Sequence, residues 1–120
     1  FNIAAHPDLI KIFSVDSFHT WLDREENQRL VRDGLEALKA SGMAMEISSA
    51  GIRKPCREIY PCATIMRMAS DLKLPVTFAS DAHTTEDVAY GFPRLATYAK
   101  AFGFTKSVVF DNGRCESLEF

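Results

Sequence analysis

Val76-Thr77-Phe78-Ala79 runs straight into Ser80-Asp81-Ala82-His83, and this junction constrains the fold more than any other stretch. A run so short and apolar predicts a buried strand. Thr84, Thr85 and Glu86 follow with the composition of a helix start. The chain therefore predicts a strand-to-helix turn that carries a carboxylate and an imidazole two residues apart. In α/β folds ligands bind outside the carboxyl ends of the strands, and an Asp and a His placed there can share one metal ion. A capped turn whose Asp81 and His83 face solvent has the same sequence, and on these residues alone it is the better reading.

The rest of the chain alternates in the same style. Phe1-Asn2-Ile3-Ala4-Ala5 predicts a short strand that stops at His6-Pro7-Asp8, because Pro7 biases His6 away from helix. His6 then falls at a strand end, as Asp81 and His83 do. A lone histidine in such a place is more often a structural hydrogen-bonder, and the second strand end with the same ligand type shifts that balance. Leu9 to Phe18 has no clear period and predicts a loop over the strand ends, with at most a short helical turn. Lys11 within it either reaches an anionic substrate or is a solvated surface lysine. His19 has no motif around it and is expected to be structural.

Asp23 to Lys39 predicts a helix, with Leu30, Val31, Leu35 and Leu38 on one face and charges on the other. Asp23, Glu25 and Glu26 suit its first turn and Gly42 its end. Met43 to Ser48 predicts the next buried strand, with Glu46 inside it. A buried carboxylate is costly unless paired. Facing a metal cluster or its histidine ligands would supply that pairing, whereas an exposed edge would not need it. Ser49-Ala50-Gly51-Ile52 with Arg53 and Lys54 fits a phosphate-binding loop, and fits ordinary surface charge equally well.

Pro61 opens a second helix, about Cys62 to Leu72, with Ile65, Met66, Met68, Ala69 and Leu72 as its apolar side. Its methionines are read as core filler. After His83, Thr84 to Val88 predicts a short helix. Pro93 starts another that runs to about Phe102 and is ended by Gly103. Ser107 to Phe110 is a strand, Asp111-Asn112-Gly113-Arg114 a hairpin turn, and Cys115 to Phe120 a returning edge strand. Strands alternating with helices predict a parallel α/β protein.

Composition narrows the function classes. At 120 residues, 47% hydrophobic and 25% charged, the chain fits one globular domain or a piece of a larger one. A formal net charge of -2 offers no electrostatic case for nucleic acid or an anionic membrane. No apolar run reaches membrane-spanning length and no signal peptide is visible, so a cytoplasmic location is expected. Cys56, Cys62 and Cys115 are an odd set without Cys-x-x-Cys spacing, and are expected as reduced thiols. The first residue is Phe1 rather than Met, so a start inside a longer protein is expected.

Several of these stretches together resemble one family. Ala5-His6-Pro7-Asp8-Leu9-Ile10-Lys11, Glu46-Ile47-Ser48-Ser49-Ala50-Gly51-Ile52-Arg53-Lys54-Pro55, Glu58-Ile59-Tyr60-Pro61, and Ser80-Asp81-Ala82-His83 with Glu86-Asp87-Val88-Ala89-Tyr90-Gly91-Phe92 are similar, in this order, to histidinol-phosphate phosphatases. That family belongs to the polymerase and histidinol phosphatase (PHP) superfamily, and the resemblance is to the C-terminal part of its domain, here residues 1–120 as a single partial domain. It implies a portion of a distorted (β/α)7 barrel with up to three divalent metals, zinc, manganese or iron, at the strand ends. By position, His6, Asp81 and His83 resemble metal ligands, and Glu46 fits the role of orienting a histidine ligand. Metal would lower the pKa of a bound water that attacks phosphorus. Lys11 and Arg53 are the candidates for holding the phosphate oxygens.

The family's early His-x-His motif and its middle His and Glu ligands have no counterpart. Only three histidines are present, none in that spacing. The resemblance therefore implies a metal-dependent phosphomonoesterase of histidine biosynthesis, incomplete and weak or inactive as this chain alone. Its expected partners are a small phosphate ester and the missing N-terminal part of the domain. Exposed strand edges would favour self-association. A non-catalytic binding module of PHP origin and a hydrolase of another phosphoester are the alternatives.

Overall fold

The computed structural model describes residues 2–120, so Phe1 of the first predicted strand lies outside the described residues. Three parallel strands form the central sheet in the order β1 (Ile3–Ala4), β2 (Ala44–Ser48) and β3 (Val76–Ala79). Ala4 lies opposite Met45, and Ser48 opposite Ala79. Parallel pairing brings all three carboxyl ends to one side, and every loop after a strand opens there.

Alternation along β2 and β3 explains the layering. Met45, Ile47 and Val76 enter the apolar core with Ile65, Met66, Ala69, Leu95 and Ala99. Those partners come from α3 (Ala63–Asp71) and α4 (Phe92–Ala101), while α2 (Glu25–Ala40) supplies Leu35. Leu38 and Val31 pack against the core, as their helical spacing predicts. Leu30 does not: it is 63% exposed, because at one residue before Val31 it is turned about 100° off the buried stripe.

Leu9 to Phe18 is more ordered than a loop. Leu9–Phe13 is a short 3-10 helix, and Val15–Leu22 forms a helix, α1. Phe18 and Leu22, one turn apart, are the buried residues of α1. Two turns are too few for the period to stand out in the sequence. At the chain's end, β4 (Lys106–Asp111) and β5 (Arg114–Glu119) pair antiparallel. Asn112 and Gly113 both have positive φ, at 47° and 77°, as a two-residue Asn-Gly turn requires.

The hairpin is a separate two-stranded sheet and does not extend the parallel one. The fold is thus α/β, with an open three-stranded parallel sheet. The described residues do not close a barrel. Among them, no helix is long and apolar enough to cross a membrane, and Cys56, Cys62 and Cys115 are all free thiols.

Candidate functional site

Each parallel strand ends in polar residues. His6 follows β1, Ser49 to Arg53 follow β2, and Ser80 to His83 follow β3. His6 and Asp81 both occupy the left-handed backbone region, with φ of 29° and 48°. Side chains other than glycine adopt that region at a cost, and such strain collects at functional sites.

Glu46 is buried in the middle strand, 7% exposed, so it does not face an open edge. Its Oε2 accepts a hydrogen bond from the backbone N–H of His6. Burial pushes its carboxyl above the usual range, the His6 amide opposes that shift, and the nearby Asp81 charge adds to it. Glu46 therefore braces the turn that carries His6, through its backbone and not through its imidazole.

His83 is exposed, and its Nδ1 lies 2.8 Å from the carbonyl oxygen of Asp81. A carbonyl only accepts, so Nδ1 carries a proton, and in the neutral imidazole the lone pair is on Nε2. That is the form in which an imidazole can bind a metal. Even so, among the described residues no three His, Cys, Asp or Glu side chains gather closely enough to hold a metal ion. His6, Asp81 and His83 have suitable donor chemistry and share one end of the sheet, but do not by themselves fit a closed metal site.

Arg53 reaches this end of the sheet from the 3-10 turn Ala50–Arg53. Its Nη2 donates to the carbonyls of Ser80 at 2.8 Å and Asp81 at 3.4 Å. Its Nε meets Asp87 Oδ1 at 3.0 Å, and the guanidinium carbon lies 5.0 Å from the centre of the Tyr90 ring. Nη1 is buried without a partner among the described residues. Asp87 and Tyr90 stand in the Glu86–Phe92 stretch that carries the family resemblance, but their pairing with Arg53 exists only across the fold.

Lys11 is placed differently from both sequence readings. It is fully buried, neither solvated nor open to a substrate. Its ammonium contacts Asp8 Oδ2 at 2.9 Å, Glu58 Oε2 at 3.1 Å and the Ile59 carbonyl at 2.9 Å. Three donors thus meet three acceptors. Glu58 also accepts from His19 Nε2, at 2.9 and 3.0 Å to its two oxygens. Burial alone would raise Glu58, but the hydrogen bonds from His19 and Lys11 outweigh it and hold the carboxyl below its usual range. Asp8 Oδ2 additionally accepts the Cys62 amide at the start of α3, at 2.8 Å. This network of Asp8, Lys11, His19 and Glu58 was invisible in the sequence, apart from the helical i, i+3 spacing of Asp8 and Lys11.

A cavity of about 570 Å³ lies beside that network, lined by residues that include His19, Arg57, Glu58, Arg94 and Tyr98. None of His6, Arg53, Asp81 or His83 lines it.

Two curated relatives share part of this chain. A probable histidinol-phosphatase of Deinococcus radiodurans is 34% identical over 58 residues, 48% of this chain and 22% of the relative. The histidinol-phosphatase of Bacillus subtilis is 33% identical over 69 residues, 57% of this chain and 26% of that protein. The matched region thus spans about a quarter of the length of either relative. No protein-family model matches the chain. Over about half its length, then, the chain is related to histidinol-phosphatases.

Proposed function

We propose that the chain carries part of the active site of a phosphomonoesterase that hydrolyses histidinol phosphate. The observation that carries this reading is the placement of His6, Arg53, Asp81 and His83 in the segments that follow the carboxyl ends of three adjacent parallel strands, where α/β enzymes do their chemistry. The partial relatedness to histidinol-phosphatases supports the substrate class. His6, Asp81 and His83 are the proposed ligands of a divalent ion, zinc, manganese or iron, in a site that needs further ligands beyond these. Glu46 holds the His6 turn, and Arg53 supplies positive charge next to Asp81. Lys11, committed to two carboxylates, is assigned to the scaffold.

Phosphate release from histidinol phosphate, with manganese, iron or zinc added, tests the reading. Release that falls at least about 100-fold in Asp81→Ala supports it. Release only from a longer polypeptide that contains this chain supports an incomplete site. No release from either overturns the reading in favour of a binding module, which the lack of a three-donor cluster among the described residues favours. Preference for another phosphoester over histidinol phosphate would correct the substrate alone.

A further inference from the structure

We propose that Arg53 is the positioning residue of the Ser80–Tyr90 loop, holding it from both ends so that Asp81 and His83 keep their orientation. The consequence for ligand binding rests on the reading of Asp81 and His83 as metal ligands; the ordering of the loop does not.

The loop has little to hold it otherwise. Its one helical turn, Thr85–Asp87, buries no residue, and Ala82 to Glu86 are exposed. Asp81 sits at its base with a positive φ, and Ala89 near its far end has another, at 55°. A segment with few buried apolar contacts and strained backbone opens easily unless something ties it.

Arg53 is that tie. At the near end its Nη2 donates to the Ser80 and Asp81 carbonyls. At the far end its Nε pairs with Asp87, with both side chains mostly buried, and its face lies over Tyr90. A planar fork with donors on two edges and a stacking face can make these contacts together, and a lysine cannot. The Asp81 carbonyl that Arg53 approaches also receives His83 Nδ1. One carbonyl oxygen thereby links the guanidinium to the tautomer and direction of His83. With Nε and Nη2 engaged and Nη1 buried, Arg53 acts through the loop.

Amide hydrogen exchange on the full chain, read by mass spectrometry, tests this. In Arg53→Gln, exchange across residues 82–91 should rise at least about tenfold, while amides of β2 and α3 keep their protection. Arg53→Lys should resemble Arg53→Gln. Unchanged exchange over 82–91 in a folded Arg53→Gln protein overturns the proposal. Should that variant unfold globally, Asp87→Asn decides: faster exchange over 84–91 supports the tie, and no change overturns it. Manganese binding, followed by electron paramagnetic resonance on the same proteins, separates the two readings. A loosened loop with no manganese bound by any of the proteins leaves the tie standing and shows that His6, Asp81 and His83 do not bind the ion without further ligands.

Discussion

At the scale of single residues, Lys11 shows how burial changes the meaning of a charge. A lysine between Ile10 and Ile12 has no local feature that marks it as interior. It is interior because Asp8 and Glu58 come to meet it, and a desolvated ammonium is tolerated only when paired and hydrogen-bonded. Lys11→Met should therefore cost about 3–5 kcal/mol, since it leaves Asp8 buried beside no cation. Urea denaturation reads that loss directly. A lysine that served only to hold substrate would leave the urea midpoint where it is.

At the scale of elements, the glycines separate packing from propensity. A Cβ at Gly51 would lie 1.9 Å from the Glu58 carbonyl oxygen and 3.1 Å from the Tyr60 ring. Gly51 lets the turn after β2 press against the segment that returns to pair Tyr60 with Ser48. Gly51→Ala must displace backbone, so a loss of about 3 kcal/mol or more is expected in thermal or urea unfolding. Gly34 sits inside α2, and a methyl group added there would meet nothing within 4 Å. Gly34→Ala should raise stability by about 0.5–1 kcal/mol, through helix propensity alone. Opposite signs for the two alanines would separate a glycine required by close approach from one that is merely tolerated.

At the scale of the whole molecule, the Asp8, Lys11, His19 and Glu58 network joins the segment after β1 and helix α1 to the strand-like return at 58–62. Its pH dependence follows from Glu58. That carboxyl titrates below its unfolded value of about 4.5 in the folded chain, so the unfolded chain binds more protons between the two values. The stabilisation is complete above about 4.5 and is lost as pH falls through the folded value. Glu58→Gln should flatten this part of the stability–pH curve, measured as the urea midpoint on either side of that pH. An unchanged slope would mean that other carboxylates control acid unfolding. With Glu58 about a third exposed, solvent screening keeps the effect modest.

The order of elements was legible in the sequence wherever a pattern repeats locally. The run at 76–79, the helical face around Leu35, the paired Pro61 and Pro93 helix starts and the Asn112-Gly113 turn each act through neighbours a few residues away. Their strand ends in turn brought His6, Arg53 and Asp81 to one side of the molecule by topology alone. The pairings that give those residues their work are of another kind. Arg53 with Asp87, Lys11 with Glu58, and Glu46 with the His6 amide join positions far apart in the chain, and no periodicity encodes a partner at such distance. Only tertiary packing decided which charges are buried, because desolvation depends on what closes over a residue and not on the residues beside it in the sequence.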